Sequence, residues 1–243
     1  MVKNEVRINK YLSEIGFCSR READRMIAAD RVTINGKVPE MGTKILPGDE
    51  VRVDGELVSA PKEQPVYIAF NKPVGIVCTT DTSQKDNIVD YINHPQRIFH
   101  IGRLDKPSEG LILLTSDGDI VNKILRAGNS HEKEYIVKVN KPIVGDFLEK
   151  MSNGVPILGV VTQKCQVRQM KKDTFRIILT QGLNRQIRRM CDYLGYKVVA
   201  LKRVRIMNIK LDLPRGKWRD LTPNELEELK YLVIDSSKTH LGD

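Results

Sequence analysis

The stretch HIGRLDKPSEGLILLTSDGD, at residues 100–119, restricts the folds open to this chain more than any other feature. Its run GLILLT, at residues 110–115, is apolar without a break, which is typical of a strand buried on both faces of a sheet. Asp105 precedes this strand and has a cation on each side, Arg103 and Lys106. Opposite charges that close keep a carboxylate ionised at neutral pH, as a nucleophile must be. The same residues also fit a surface turn in which Asp105 caps backbone amides, and spacing alone does not separate the two interpretations.

The distribution of charge indicates a polyanionic partner. The chain has 243 residues and a formal net charge of +9. Residues 181–219 contain eleven Lys and Arg against two Asp, so this segment alone accounts for the excess. A solvated basic face is the simplest alternative, but such a concentration favours a nucleic-acid groove.

Composition argues against several other classes of protein. Charged residues at 29% and hydrophobic residues at 40% indicate a soluble globular chain. No apolar run is long enough to span a membrane and the N-terminus has no apolar signal core, so we expect a cytoplasmic protein without a membrane partner. The four cysteines lie far apart and the four histidines are not at ligand spacing. We therefore expect no disulfide, no metal site and no cofactor. A monomer is assumed, since no pattern specifies an oligomer.

Residues 5–59 are predicted to form a small separate module. In RINKYLSEIG, apolar residues recur at helical spacing and Gly16 ends the helix, while Ser19 and Glu22 form a capping box for a second helix. A short strand, an Asn35-Gly36 hairpin turn and the strand VRVDG follow.

This pattern resembles the S4-like RNA-binding domain. The resemblance implies that basic side chains of the module contact RNA phosphates, which gives affinity but no choice of sequence. The residues concerned are Arg7, Lys10, Arg20, Arg21 and Arg25. A helical hairpin with ordinary exposed cations is the alternative, because the module as a whole is close to charge-balanced.

The rest of the chain is predicted to be one larger domain. The segment APKEQP, at residues 60–65, is a Pro-bracketed linker, residues 66–235 form the domain, and residues 236–243 are a loose tail. Strands outnumber helices and interleave with them irregularly, so we predict an α+β fold on a mixed, mostly antiparallel sheet. KVVAL and KRVRIMNIKL are predicted as two basic strands. Asp117 or Asp119 caps a helix that Gly128 closes. Thr222-Pro223 with Glu225 starts the final helix.

Five motifs in a fixed order resemble those of the bacterial rRNA pseudouridine synthases with an N-terminal S4-like domain. GRLDKPSEGLILLTSDGD is similar to the family's catalytic motif, in which the Asp of GRLD is the nucleophile. The four others are NKPVGIV at 71–77, VNKILRAGNSHEKEYIV at 121–137, GVPILG at 154–159 and QGLNRQIRRM at 181–190. The details KILRAGN and GVPILG are most similar to the enzymes of the family that act on 23S rRNA. The resemblance implies an isomerase that converts one flipped-out uridine to pseudouridine in 23S rRNA, with 16S rRNA or tRNA as the alternative substrate.

The resemblance implies roles for three residues. Asp105 is the nucleophile or base, and Arg188 pairs with it and keeps it ionised. Tyr135, in the context HEKEYIV, stacks on the uracil, which must leave its helix at a cost of a few kcal/mol. Without that motif the pattern predicts a core aromatic at Tyr135, because it shares a strand face with two valines.

The resemblance also implies further contacts to RNA. Arg103 enters the space that the flipped base vacates, and Lys106 contacts the backbone. The other residues expected to contact RNA in this domain are Lys72, Leu104, Arg185, Gln186 and Ile187. For these residues the alternatives are a solvated basic helix face and a lone solvated lysine at a strand end.

Two other function classes deserve comparison with the enzyme. A non-catalytic rRNA-binding or ribosome-assembly protein on the same scaffold has no reason to hold Asp105, Tyr135 and Arg188 together, and all three are present. A ribonuclease generally needs paired histidines or a metal-binding acid cluster, and neither pattern appears. A single Asp is chemically sufficient for pseudouridine formation, because uracil leaves as a resonance-stabilised anion, whereas glycoside hydrolysis generally needs two carboxylates. The sequence leaves open which uridine is modified, whether the substrate is free RNA or an assembling subunit, and whether Asp105 attacks C1′ or C6 or removes a proton from C2′.

Overall fold

The computed structural model describes residues 5–59, 64–125 and 130–236. The predicted helix end at Gly128, most of the predicted linker and nearly all of the predicted tail lie outside these residues. The chain forms two compact units, Met1–Pro65 and Val66–Asp243. None of the described helices combines the length and the apolar character that crossing a membrane requires.

The first unit packs two helices against short strands. Its elements are β1 (Val6–Arg7), α1 (Ile8–Glu14), α2 (Arg20–Ala28), β2 (Val32–Ile34), β3 (Lys44–Ile45), β4 (Val51–Val53) and β5 (Glu56–Leu57). The helices bury Ile8, Leu12 and Ile27 against the strands, as the helical spacing predicts. The Glu22 amide donates to Ser19 Oγ at 3.1 Å. The Glu22 carboxylate pairs with Arg25 at 3.0 Å, so only the Ser19 half of the predicted capping box forms.

The Asn35-Gly36 turn is present, with φ of 50° and 78°. Its local pairing is a single bridge between Ile34 and Lys37, whereas β2 takes β4 as its antiparallel partner. The turn therefore reverses the chain without joining two strands of one sheet.

The second unit is built on one large sheet. Its strands are β6 (Tyr67–Lys72), β7 (Phe99–Ile101), β8 (Glu109–Thr115), β9 (Lys133–Val139), β10 (Pro156–Ile157), β11 (Val160–Val161), β12 (Gln166–Lys171), β13 (Thr174–Leu179), β14 (Val198–Ile206), β15 (Ile209–Lys210) and β16 (Trp218–Asp220). Its helices are α3 (Ile88–Ile92), α4 (Gly118–Leu125), α5 (Phe147–Asn153), α6 (Gln186–Tyr193) and α7 (Pro223–Leu232). The strand order is β12-β13-β9-β14-β8-β6-β16, with β7 on β8 and β15 on β14. Among these described pairs only β14 and β8 run parallel, so the predicted mixed, mostly antiparallel sheet is confirmed.

Strand β8 is the buried strand that the run GLILLT predicts. Leu111 and Leu113 face a core that α4 and α7 cover, while Ile112 and Leu114 face a second core on the other side. All four side chains are at most 1% exposed. The loop that carries Asp105 therefore leads into a strand that is buried on both faces of the sheet.

The sequence predicts two basic strands after α6, KVVAL and KRVRIMNIKL, and the boundary that it places between them is wrong. The segment forms one nine-residue strand, β14, and a short hairpin partner, β15. Register shifts between Val198 and Ala200 and between Arg203 and Arg205 keep β14 paired with β9 along its length. Bulges of this kind blur the alternation that marks a strand in a sequence.

Helices α4 and α7 begin as their sequences predict. The Asp119 amide donates to Asp117 Oδ1 at 2.9 Å, so Asp117 is the cap of α4. In α7, Thr222 and Glu225 form a complete capping box with Pro223 in the first turn. Both helices pack on the core that Leu111 and Leu113 face, and Val121 and Leu125 of α4 also reach the cleft described next.

Candidate active site

A cleft of about 750 Å³ opens on one face of the sheet. Its walls come from the loop before β8, from β9 and β14, and from the start of α6. Asp105, Tyr135 and Arg188, which are far apart in the sequence, all line it. The structure therefore brings together the three residues to which the sequence assigns the chemistry.

Asp105 lies near a cation that is mostly screened from solvent. Its Oδ2 is 3.4 Å from Nε of Arg188, and the two side chains are 31% and 12% exposed. The Arg188 Nε has no hydrogen-bond partner, so this contact is an attraction between charges without hydrogen-bond geometry. Charges in a partly buried site interact more strongly than in water, so the guanidinium attracts the carboxylate toward α6.

Arg188 also holds the loop that carries Asp105. One Nη atom donates to Ser108 Oγ at 3.0 Å and approaches the Pro107 carbonyl at 3.4 Å. The other approaches the Val198 carbonyl at 3.4 Å. A single guanidinium therefore connects α6 to the Asp105 loop and to β14.

Gly110 is the second residue of β8 and occupies a position that no other residue fits. Its φ is +107°, and a Cβ there would lie 2.7 Å from the Arg203 amide nitrogen and closer still to the Arg203 carbonyl oxygen. The parallel pairing of β8 with β14 brings these two backbones together. The absence of a side chain at Gly110 thus allows the Asp105 loop to end against β14.

Tyr135 is held in the middle of the sheet. On β9 it lies opposite Ile177 of β13 and Arg203 of β14. The Arg203 guanidinium is 6.0 Å from the centre of the Tyr135 ring, within the range of a cation–π contact. The ring is half-buried and packs against two cores while it lines the cleft. The sequence left a core position and a cleft position as alternatives for Tyr135, and the ring takes both.

The prediction that Lys72 contacts the RNA backbone is wrong for this structure. Its side chain is 0% exposed, and its Nζ donates to the Pro73 carbonyl at 2.9 Å. Burial lowers the pKa of the Lys72 ammonium, and the charge of Asp105 opposes that shift. The end of β6 lies beneath the cleft. The sequence shows only that Lys72 ends a strand and does not show that this strand end is covered.

Gln186 also fails to fit its predicted contact with a phosphate. It is 4% exposed, and its Oε1 accepts from the Leu183 amide while its Nε2 donates to Gln181. Leu104 and Ile187 line the cleft as apolar walls and are 7% and 6% exposed.

The predicted cations at the cleft mouth are exposed. Arg103 and Arg185 are open to solvent, and Arg185 adopts φ of 50° just before α6. Lys106 is exposed and pairs with Asp86 at 3.1 Å. All three side chains line the cleft, and their contacts with RNA stay predictions.

In the first unit, the predicted arginines lie at the surface. Arg7 and Arg20 are exposed, as are Arg21 and Arg25. Lys10 is half-buried and pairs with Glu14 at 3.1 Å.

The sequence did not single out several groups that line the cleft. Lys133 and Arg203 are 9% and 3% exposed. The Leu104 amide donates to the buried Cys78 thiol at 3.4 Å, and burial raises the pKa of that thiol. His100 donates from Nδ1 to the Gly102 carbonyl at 2.8 Å, and burial lowers its pKa. The sequence could have predicted that Lys133 lines the cleft, because it is two residues from Tyr135 on one strand and thus on the same face.

Among the residues that the structure describes, no group of three or more His, Cys, Asp or Glu side chains is arranged to hold a metal ion. The chemistry that this cleft can perform with its own side chains is attack by one carboxylate, or removal of a proton by it, beside a stacking aromatic.

Comparisons with known proteins give a consistent result. The RNA pseudouridylate synthase family model matches residues 66–193, and the S4 domain model matches residues 6–51. The dual-specificity RNA pseudouridine synthase RluF of Escherichia coli strain K12 is 58% identical over 96% of this chain and 81% of that protein. The ribosomal large subunit pseudouridine synthase B of Bacillus subtilis strain 168 is 35% identical over 93% of this chain and 96% of that protein. A crystal structure of a pseudouridylate synthase matches with a TM-score of 0.69 and 29% identity, covering 92% of this chain and 99% of that one.

The family match spans the loop of Asp105, the strand of Tyr135 and the helix of Arg188. On these similarities the chain belongs to the RNA pseudouridylate synthase family, whose members isomerise uridine in RNA to pseudouridine, and it carries an S4 domain on the N-terminal side of the synthase domain.

Proposed function

We propose that this chain converts a specific uridine of ribosomal RNA to pseudouridine, with Asp105 as the reacting carboxylate. The observation that carries the proposal is the position of Asp105 in the cleft, 3.4 Å from Arg188 and in the same cavity as Tyr135. A carboxylate in this setting is partly accessible, lies beside a cation and is carried by a braced loop. Those are the requirements for a nucleophile or a general base.

The reaction requires the glycosidic bond from N1 to C1′ to break and a bond from C5 to C1′ to form. In one route the Asp105 carboxylate bonds to C1′ while the N1–C1′ electron pair leaves with uracil, and C5 then displaces the carboxylate from C1′. In a second route Asp105 takes the C2′ proton as the N1–C1′ bond breaks and returns it to C2′ when C5 bonds to C1′. In a third route Asp105 first adds to C6 of the base and leaves C6 again after C5 has bonded to C1′. In each route the proton lost from C5 is balanced by the proton gained at N1, so the net change is an isomerisation.

The cleft walls suit a planar base. Tyr135 supplies a ring on which an extruded uracil stacks, and Leu104 and Ile187 supply apolar edges. A base in a duplex cannot reach Asp105, so the target must flip out of its stack, which takes a few kcal/mol. Arg103, which is exposed at the mouth, is assigned to the gap that the flipped base leaves.

We assign 23S rRNA as the substrate and residues 66–235 as the catalytic domain. The B. subtilis relative is named for the large ribosomal subunit, and the E. coli relative is named dual-specificity, which supports a test on more than one RNA class. Residues 5–59 are assigned to RNA binding through Arg7, Lys10, Arg20, Arg21 and Arg25. We take the protein to act as a cytoplasmic monomer.

Release of tritium from RNA labelled at C5 of uridine tests the reaction and the substrate class together. Purified protein is incubated separately with unmodified 23S rRNA, 16S rRNA and tRNA transcripts. Release from 23S rRNA near one equivalent per molecule supports the proposal. Release from only 16S rRNA or tRNA moves the substrate to that class. The absence of release from all three and from partly assembled subunits, together with tight salt-dependent binding, leaves a non-catalytic RNA-binding protein.

A further inference from the structure

The two faces of the sheet around β9 differ in how their cations are balanced. On the face away from the cleft, Arg205 pairs with Glu132 and Glu134 at 2.8 and 2.9 Å, and Arg176 pairs with Glu134 at 2.7 Å. On the cleft face, Lys133 and Arg203 form no ion pair with a carboxylate anywhere in the described part of the chain. These strands thus neutralise Arg176 and Arg205 on one side of the sheet and leave Lys133 and Arg203 uncompensated on the other.

Lys133 is the more unusual of these two cations. It is 9% exposed, and its Nζ donates to the His131 carbonyl at 3.1 Å. An ammonium has three donors, and burying its charge without a counter-charge is costly. Burial, together with the positive charge of Arg203, lowers its pKa to about 8. A protein that keeps such a group in a cleft keeps it for a ligand that brings negative charge.

The position of Lys133 indicates which part of an RNA brings this negative charge, a phosphate or a base. Lys133 is two residues from Tyr135, so both side chains rise from the same face of β9 and line the same cleft. A side chain this buried is poorly placed to meet a phosphodiester that is joined to two sugars. A flat base that stacks on Tyr135 shares the cleft with Lys133.

We propose that Lys133 is a further catalytic residue, whose ammonium stabilises the negative charge that develops on uracil as the N1–C1′ bond breaks. This inference rests on the proposed function. The electron pair of that bond moves onto the base, and a fixed cation beside the base lowers the energy of that state without being transferred itself. Lys133 stays protonated throughout, and the C5 and N1 protons are handled by other groups. The role is the same whether Asp105 attacks C1′ or removes the C2′ proton.

Several groups around Lys133 bear on its titration. The cleft residues of neighbouring elements are Arg203 of β14, Leu179 of β13, and Val121 and Leu125 of α4. His131 lies close in the chain, and burial and the charge of Lys133 lower its pKa, so it is neutral throughout the alkaline range. The carboxylate of Asp105, which is the reacting group of the cleft, forms no ion pair with Lys133. The free enzyme therefore loses the Lys133 charge as the pH rises through about 8.

Three variants test the role of Lys133, with the RNA in which the wild type forms pseudouridine as substrate. Lys133→Met removes the charge and keeps the length of the side chain, and Lys133→Arg keeps a charge that does not titrate below pH 12. Lys138→Met is the matched control, because Lys138 lies on the same strand, is exposed, and faces away from the cleft in a pair with Asp173 at 3.6 Å. Single-turnover rate, RNA affinity and the pH profile of kcat/KM are measured for each.

We expect Lys133→Met to lower the single-turnover rate about a hundredfold with RNA affinity within about threefold, a loss of the size found when one stabilising donor is removed. Lys133→Arg stays within about tenfold of wild type and lacks the fall in kcat/KM that wild type shows above about pH 8. Lys138→Met behaves as wild type.

Other results overturn the inference. A Lys133→Met rate within threefold of wild type shows that the charge is not needed, and a loss of RNA affinity that accounts for the whole rate change assigns Lys133 to a phosphate. If Lys133→Met does not fold, Lys133→Arg decides the question. A fall in kcat/KM at alkaline pH that is unchanged in Lys133→Arg shows that the titrating group is not Lys133. A wild type that forms no pseudouridine in any RNA refutes the proposed function first, and a wild type that forms it leaves only the Lys133 role at issue.

Discussion

The Nε atom of Arg188 lies 3.4 Å from Oδ2 of Asp105, and the same guanidinium donates to Ser108 Oγ at 3.0 Å. One side chain from α6 thus contributes both the charge beside the carboxylate and a brace for the loop that carries it. These two contributions separate in mutants that keep the charge and lose the planar fork.

We expect Arg188→Met to lower kcat about a hundredfold, because it removes the charge and the brace together. Arg188→Lys retains a cation but cannot reach Asp105 and Ser108 at once, and we expect an intermediate loss of about tenfold. Single-turnover pseudouridine formation measures both. Equal rates for the Lys and Met variants would show that the charge contributes nothing.

Gly110→Ala is expected to destabilise the protein by about 3 kcal/mol or more. The new Cβ collides with the Arg203 backbone, and φ of +107° is strained for any L side chain. Gly159→Ala is the control, because Gly159 has φ of +76° and open space around it, so only the strain of about 1–2 kcal/mol applies. Thermal unfolding compares the two. A midpoint for Gly110→Ala equal to that of Gly159→Ala would contradict the close approach of β8 and β14.

The edge of the sheet near α7 is expected to lose stability in acid. Arg219 donates to both carboxylate oxygens of Glu225 at 2.7 and 2.8 Å, and these bonds lower the pKa of Glu225 to about 2. A carboxyl whose folded pKa is depressed stabilises the fold above its unfolded pKa of about 4.3 and loses that contribution as the pH falls through its folded value. Glu225→Gln should therefore be less stable than wild type at pH 6, and the difference should shrink between about pH 4.5 and pH 2. A difference that is constant from pH 6 to pH 2 would show that the ion pair contributes nothing.

Arg20 and Arg21 are expected to act on RNA affinity alone. Both are exposed at the start of α2, so neutralising them leaves the core intact. Each lost phosphate contact reduces the salt dependence of binding by about one ion. The double variant Arg20→Gln, Arg21→Gln should raise KM and flatten the slope of log Kd against log salt by about two, with kcat unchanged. Lys44→Gln, which breaks a surface pair with Glu5 at 3.0 Å, is the control and should leave the slope unchanged.

The sequence reveals the elements whose signals are local. The run GLILLT predicts the doubly buried β8, and Thr222 with Glu225 predicts the capping box of α7. The cluster of Asp105, Tyr135 and Arg188 in one cleft is expected from the motifs, because each motif carries one of the three. Periodicity alone places none of them together.

Other features depend on contacts between distant segments. Lys72 reads as a strand-end lysine, and only the packing of β6 beneath the cleft shows that it is fully buried. The continuity of β14 is hidden by two bulges, which break the alternation of exposed and buried residues. The asymmetry between the paired Arg205 and the uncompensated Lys133 requires knowledge of which carboxylates lie within reach, and no spacing rule supplies that.

Mapping pseudouridine at nucleotide resolution with wild type and Asp105→Asn tests the central claim most directly. Asn keeps the shape of the side chain and removes its charge, and Asp105 is partly exposed, so the variant should fold and bind RNA as wild type does. Transcripts of 23S rRNA, 16S rRNA and tRNA are treated with carbodiimide and read by primer extension. The account predicts one new stop in 23S rRNA with wild type and none with Asp105→Asn. A stop of equal strength with the variant would show that Asp105 is not the reacting group.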